Sequence, residues 1–167
     1  MKRSFNITGA CNPQEHYMVN LDSRLSEIKK MVDAGKYFVI NRGRQYGKTT
    51  TLKALKKYLQ DDYTVISFDF QKDMSELDFK DENNFSISFA YLFVAALKKV
   101  KTINMEIAQV LLTQIDFWKE RYGLVRLFQG ISEICSSVKQ KIVLVIDEVD
   151  SASNNQVFLD FLAQLRG

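Results

Sequence analysis

Two stretches of this chain combine residue types and spacings that could handle a phosphate. The first is Asn41-Arg42-Gly43-Arg44-Gln45-Tyr46-Gly47-Lys48-Thr49-Thr50. An apolar run, Tyr37-Phe38-Val39-Ile40, leads into it, and a helical run from Thr51 to Leu59 leads out. Strand, glycine-bearing turn, Lys-Thr and helix is the setting of a phosphate-binding loop. Gly47 would let the backbone approach an anion with no side chain in the way. The N–H groups that open the following helix would point at it, and the helix dipole favours negative charge there. Lys48 could reach the β- and γ-phosphates, and the Thr49 hydroxyl could ligate Mg²⁺. Gly43, Arg44, Gln45, Tyr46 and Thr50 complete the candidate cradle for phosphate groups. The spacing departs from G-x-x-x-x-G-K-[ST] in one respect: the first glycine should fall at Arg42 and stands at Gly43. Either the loop is one residue shorter or its first turn has another backbone shape. Alone, the decapeptide also reads as a glycine turn before a basic helix that binds nothing.

The second stretch is Ile142-Val143-Leu144-Val145-Ile146, followed by Asp147-Glu148-Val149-Asp150. An unbroken aliphatic run of this length reads as a strand buried on both faces, as in a parallel sheet. Ligands bind at the carboxyl ends of such strands. There Asp147 would hold Mg²⁺, directly or through water, and Glu148 would polarise the attacking water. An acidic strand end exposed to solvent is the alternative.

The elements that must position these residues follow from hydrophobic periodicity. Residues 22 to 34 predict a helix, with Asp22 or Ser23 as N-cap and Gly35 as C-cap. A first strand covers 37 to 41, and the helix after the loop runs to about Leu59. Tyr63 to Phe70 predicts a second strand, ending near Asp69, which could face the metal's water shell but reads more simply as a capping or turn carboxylate. The acidic stretch 71 to 84 reads as a solvated loop. Helices are expected over 85 to 99, 105 to 120 and 122 to 138, with Cys135 as a packed thiol on an apolar face. After the acidic motif comes a polar loop, Ser151 to Asn155, and then an amphipathic helix carrying Val157, Phe158, Phe161, Leu162 and Leu165. Strands alternating with helices imply an α/β fold with a parallel sheet.

With both motifs in hand, the chain resembles the P-loop ATPases of the broad AAA+ and STAND-like group. More closely, Phe5-Asn6, Gly9, His16-Tyr17-Met18-Val19, the "NRGRQYGKTT" loop and "IDEVD" are similar to a bacterial family of predicted AAA-like ATPases. The resemblance covers residues 5 to 165. It implies a three-layer P-loop NTPase fold, a mostly parallel sheet flanked by helices, and a base site near Tyr17 or Val19, although Tyr17 could equally strap the core. It also implies a strand, absent from this sequence, between the loop strand and the acidic-motif strand. Residues 1 to 167 are therefore expected to be the N-terminal portion of an ATPase domain, incomplete at the C-terminus, as an expressed fragment or a truncated gene product. The sensor and arginine-finger residues would lie beyond the chain or in another subunit. The expected activity is ATP hydrolysis in the full-length protein, weak or absent in this portion, with self-association through exposed strand edges. A nucleotide-dependent switch or scaffold with little turnover is a second reading. A nucleic-acid-processing protein, through downstream domains of the family, is a third.

Composition bounds these readings. The chain has 167 residues, enough for a sizeable core. Its net charge of +3 is too small to argue for nucleic acid by itself. Lys53, Lys56 and Lys57 are the modest basic cluster and read as a solvated helix face. No apolar run approaches the roughly 18 residues that span a bilayer, so no membrane partner is expected. Two cysteines, Cys11 and Cys135, and no apolar core after Met1-Lys2-Arg3-Ser4 fit a cytoplasmic protein. One histidine cannot build a zinc site.

Overall fold

A computed structural model of the chain describes residues 20–40, 47–100, 105–152 and 154–166. The arm expected over 1–19, with Tyr17 and Val19, and loop residues Gly43 to Tyr46 lie outside the described residues. The chain divides into two units, residues 1–61 and 62–167.

In the first unit, α1 (Asp22–Asp33) buries Leu25 and Ile28. Its start is held by neither expected cap: the Asn20 side-chain oxygen accepts a hydrogen bond from the Asp22 backbone N–H at 2.7 Å. Its end is as expected. Gly35 takes a left-handed φ of 63°, and its N–H donates to Val32 O while Lys36 N–H donates to Met31 O. Helix α2 (Lys48–Leu59) buries Thr51, Leu55 and Leu59, one turn apart along one face. Lys53, Lys56 and Lys57 are exposed, as a solvated face should be.

The strand expected over 37–41 is not formed by its described residues. Residues 36–40 have no regular structure, with Val39 73% and Tyr37 43% exposed. The physical reason is that β-propensity fits a residue to a ladder but cannot replace one. Among the described residues the sheet has two strands, and 37–40 belong to neither.

In the second unit, β1 (Thr64–Asp69) and β2 (Ile142–Asp147) pair in parallel, with Thr64 opposite Ile142 and Asp69 opposite Asp147. Side chains alternate between the two faces of such a sheet. Ile66 and Phe68 of β1 enter the core, and Ile142, Leu144 and Ile146 of β2 pack against it. A parallel pair requires a long crossover, and here helices supply it.

The stretch 71–84, expected as a solvated loop, is largely helical. It contains α3 (Phe70–Asp73), a 3₁₀ turn over Glu76–Phe79 and the start of α4 (Glu82–Lys98). Its acidic residues serve as caps. Asp69 accepts from Lys72 N–H, Asp78 from Ser75 N–H at 2.6 Å, and Asp81 from Asn84 N–H at 2.8 Å. The Asp78 carboxyl is held below its ordinary range: the hydrogen bonds from Ser88 and Ser75 outweigh a larger single effect of desolvation that works upward.

Helices α4, α5 (Met105–Trp118) and α6 (Leu124–Ser137) pack together, and α7 (Gln156–Arg166) closes the core. Phe85, Phe89 and Phe93 recur each turn along α4. Phe161 of α7 meets Phe89, Phe85 and Phe128 at ring separations of 4.6, 5.3 and 5.4 Å. The turn between α5 and α6 is held by the start of α4. Asn83 Nδ2 donates to the carbonyls of Lys119 and Tyr122, and Glu82 Oε1 accepts from Leu124 N–H. Cys135, expected to be packed, is exposed. Its apolar neighbours still raise its thiol pKa, so it is neither a core thiol nor an activated nucleophile. Among the described residues no helix is long and apolar enough to cross a membrane.

Candidate functional site

The two motifs fall in different units, and each has its own local geometry. In the first unit Gly47 immediately precedes α2 with φ 73° and ψ 27°. A side chain is disfavoured in this left-handed conformation, which explains glycine at this position. Lys48 and Thr49 are thereby the first two residues of the helix. Thr51 N–H donates back to Gly47 O at 2.8 Å, so the helix is wound from its first turn. The arrangement puts the positive end of a helix dipole, a lysine and a hydroxyl at one point. A groove of about 560 Å³ runs between α1 and residues 36–40, lined by Arg24, Glu27, Met31 and Phe38 among others, and the described loop candidates, Gly47 to Thr50, do not line it.

In the second unit Asp147 is the last residue of β2, at the carboxyl end of the parallel pair. Its Oδ1 accepts a hydrogen bond from the Glu148 N–H at 2.9 Å, which fixes the carboxylate's orientation. Glu148 follows in a left-handed conformation with φ 54°. A non-glycine residue there is strained, and such strain clusters at functional sites. The chain then turns through a short 3₁₀ segment, Val149–Ala152, anchored by the buried Ala152. Both Asp147 and Glu148 are half-buried, while Asp150 is exposed.

The ladder register sets Asp69 beside Asp147. Asp69 caps α3, which was the simpler expectation for it, and its Oδ2 also forms an ion pair with Lys72 Nζ. The Asp69 N–H donates to Asp73 Oδ2 at 2.8 Å. Sequence reading had passed over Lys72. The signal that could have found it is the i, i+3 spacing from an aspartate at a strand end, which places the two side chains together once a helical turn begins there.

Asp147 in the second unit and Thr49 in the first each carry a hard oxygen donor of the kind Mg²⁺ takes. Asp147, Glu148, Asp69 and Lys72 come together at one end of the sheet, and Gly47, Lys48 and Thr49 at the start of α2.

A family model described as predicted AAA-ATPase matches residues 24–164, and the chain belongs to that AAA-ATPase-like family. No curated protein and no solved structure matches it.

Proposed function

We propose that the chain is the ATP-binding and ATP-hydrolysing part of a larger cytoplasmic AAA-like ATPase, built on the three-layer, mostly parallel P-loop architecture. The reading is carried by the span of the family match, which includes Gly47-Lys48-Thr49 and Asp147-Glu148 alike. In it the loop from Gly43 to Thr50 wraps the phosphates. The Lys48 ammonium meets the charge that builds up on the β- and γ-phosphates during transfer. Thr49 and Asp147 would hold Mg²⁺, which would supply charge neutralisation at the phosphates. Glu148 orients a water and takes its proton as its oxygen attacks the γ-phosphorus, so that ADP and inorganic phosphate leave. The left-handed backbone at Glu148 supports this role, because it re-aims a carboxylate that a continuing strand would send elsewhere.

The test is phosphate release from Mg-ATP by the full-length protein carrying Glu148→Gln. General bases contribute about 10²–10⁴-fold. Turnover is expected to fall by that order while nucleotide binding persists. Turnover at the wild-type rate would assign water activation to another group. A wild-type protein that binds ATP tightly and releases no phosphate would favour a nucleotide-dependent switch.

A further inference from the structure

The register of the sheet brings two carboxylates side by side, Asp69 and Asp147, on neighbouring parallel strands. Such strands run about 4.8 Å apart, and paired residues project to the same face. Two like charges at that spacing repel each other. A cation stands beside them: Lys72, in the first helical turn after β1, pairs with Asp69 through its ammonium. The pair is rigid at its carboxylate end, because Asp69 also accepts from the Lys72 backbone N–H. It is open at its ammonium end, since the Lys72 side chain is 77% exposed. The hydrogen bond to Asp69 and that carboxylate's charge hold the Lys72 ammonium above its ordinary range, and Asp147 and Asp73 add to the effect. Because Asp69 stands opposite Asp147 in the ladder, the ammonium paired with Asp69 belongs to the strand end that neighbours Asp147.

We propose that Lys72, clamped by Asp69, is a positioning residue for Asp147: it screens the paired carboxylates before a divalent cation arrives and weakens the hold on that cation afterwards. The proposal rests on the reading of Asp147 as the Mg²⁺ ligand. Its consequence is a metal site tuned toward release, with Mg²⁺ held by Asp147 only while the nucleotide phosphates share it. Lys72 touches no reacting atom in this account. It acts through Asp147.

The experiment is a Mg²⁺ titration of the full chain in the presence of a fluorescent ATP analogue, reading the Mg²⁺ concentration that half-saturates binding. A unit charge a few ångströms from a divalent ion in largely aqueous surroundings shifts its affinity by roughly three- to tenfold. Lys72→Met should lower the half-saturating Mg²⁺ concentration by that factor. Lys72→Arg should leave it near wild type. Thermal unfolding of each variant checks that the fold is intact. A lysine serving as a surface ion pair alone predicts an unchanged Mg²⁺ dependence in Lys72→Met, and that result would overturn the proposal. A wild-type protein whose nucleotide binding ignores Mg²⁺ would overturn the reading of Asp147 and the proposal with it.

Discussion

Tyr122 is fully buried, and its hydroxyl has no hydrogen-bond partner among the described residues, as is true of Ser86 Oγ and Gln114 Oε1. A buried hydroxyl without a partner costs about 1–3 kcal/mol. Tyr122→Phe should therefore hold or raise stability, by about 1 kcal/mol at most sites of this kind. Burial also pushes the Tyr122 pKa well above its ordinary value. The sign follows directly. The unfolded chain releases this proton near pH 10, and the folded chain keeps it, so above that pH the native state binds more protons and stability falls as pH rises. Denaturant unfolding across the alkaline range should show a shallower decline for Tyr122→Phe than for wild type. Parallel declines would mean that the hydroxyl finds water in solution. At this same scale Asp69 was legible as a cap, because an aspartate at a strand end has backbone N–H groups within reach. Its second role, holding Lys72, was not, because an ion pair depends on where the helix after the strand begins.

At the scale of elements, the ring cluster decides how the helices sit. Phe161 is fully buried and bridges α7 to α4 and α6. Phe161→Ala removes those contacts and leaves a cavity, which costs about 3–5 kcal/mol in well-packed cores. Chemical denaturation should report a loss of that size, and a loss below about 1 kcal/mol would show that the helices collapse into the gap. This part of the molecule was readable in advance: Phe85, Phe89 and Phe93 recur at helical spacing, and the apolar run 142–146 announces β2. Two elements were misread for opposite reasons. The acidic stretch 71–84 looked solvated because composition hides caps, which depend on where each carboxylate falls relative to a helix start. Residues 37–40 looked like a strand because local propensity is blind to whether a ladder partner is present. Cys135 was misplaced by a third route. It shares a helix with Leu127 and Ile134, but adjacency to a buried position is not burial, and the turn of the helix carries it to the surface.

At the scale of the whole molecule, the described sheet is a pair, so β2 keeps one edge without a neighbouring strand among the described residues. That edge belongs to an aliphatic strand whose residues are half-buried. Flat apolar edges invite a strand from another chain. Concentration-dependent self-association is the expected behaviour, measurable by light scattering over a dilution series. A monodisperse monomer at every concentration would show that the edge is covered. Both candidate motifs stand out by residue types and spacing, because phosphate chemistry would need glycine, lysine and hydroxyl in fixed order. The Gly47 turn and the strand-end place of Asp147 agree with that reading.

That Lys48 and Asp147 serve one Mg-ATP is the proposal on which the functional reading rests. It is tested most directly by thermal unfolding with and without Mg-ATP, for wild type and for Lys48→Ala. A ligand at about 100 times its Kd adds roughly 2.7 kcal/mol to the folded state. The account predicts a clear upward shift of Tm for wild type, dependent on Mg²⁺, and little or none for Lys48→Ala. An equal shift in both proteins, or none in either at millimolar Mg-ATP, would contradict it.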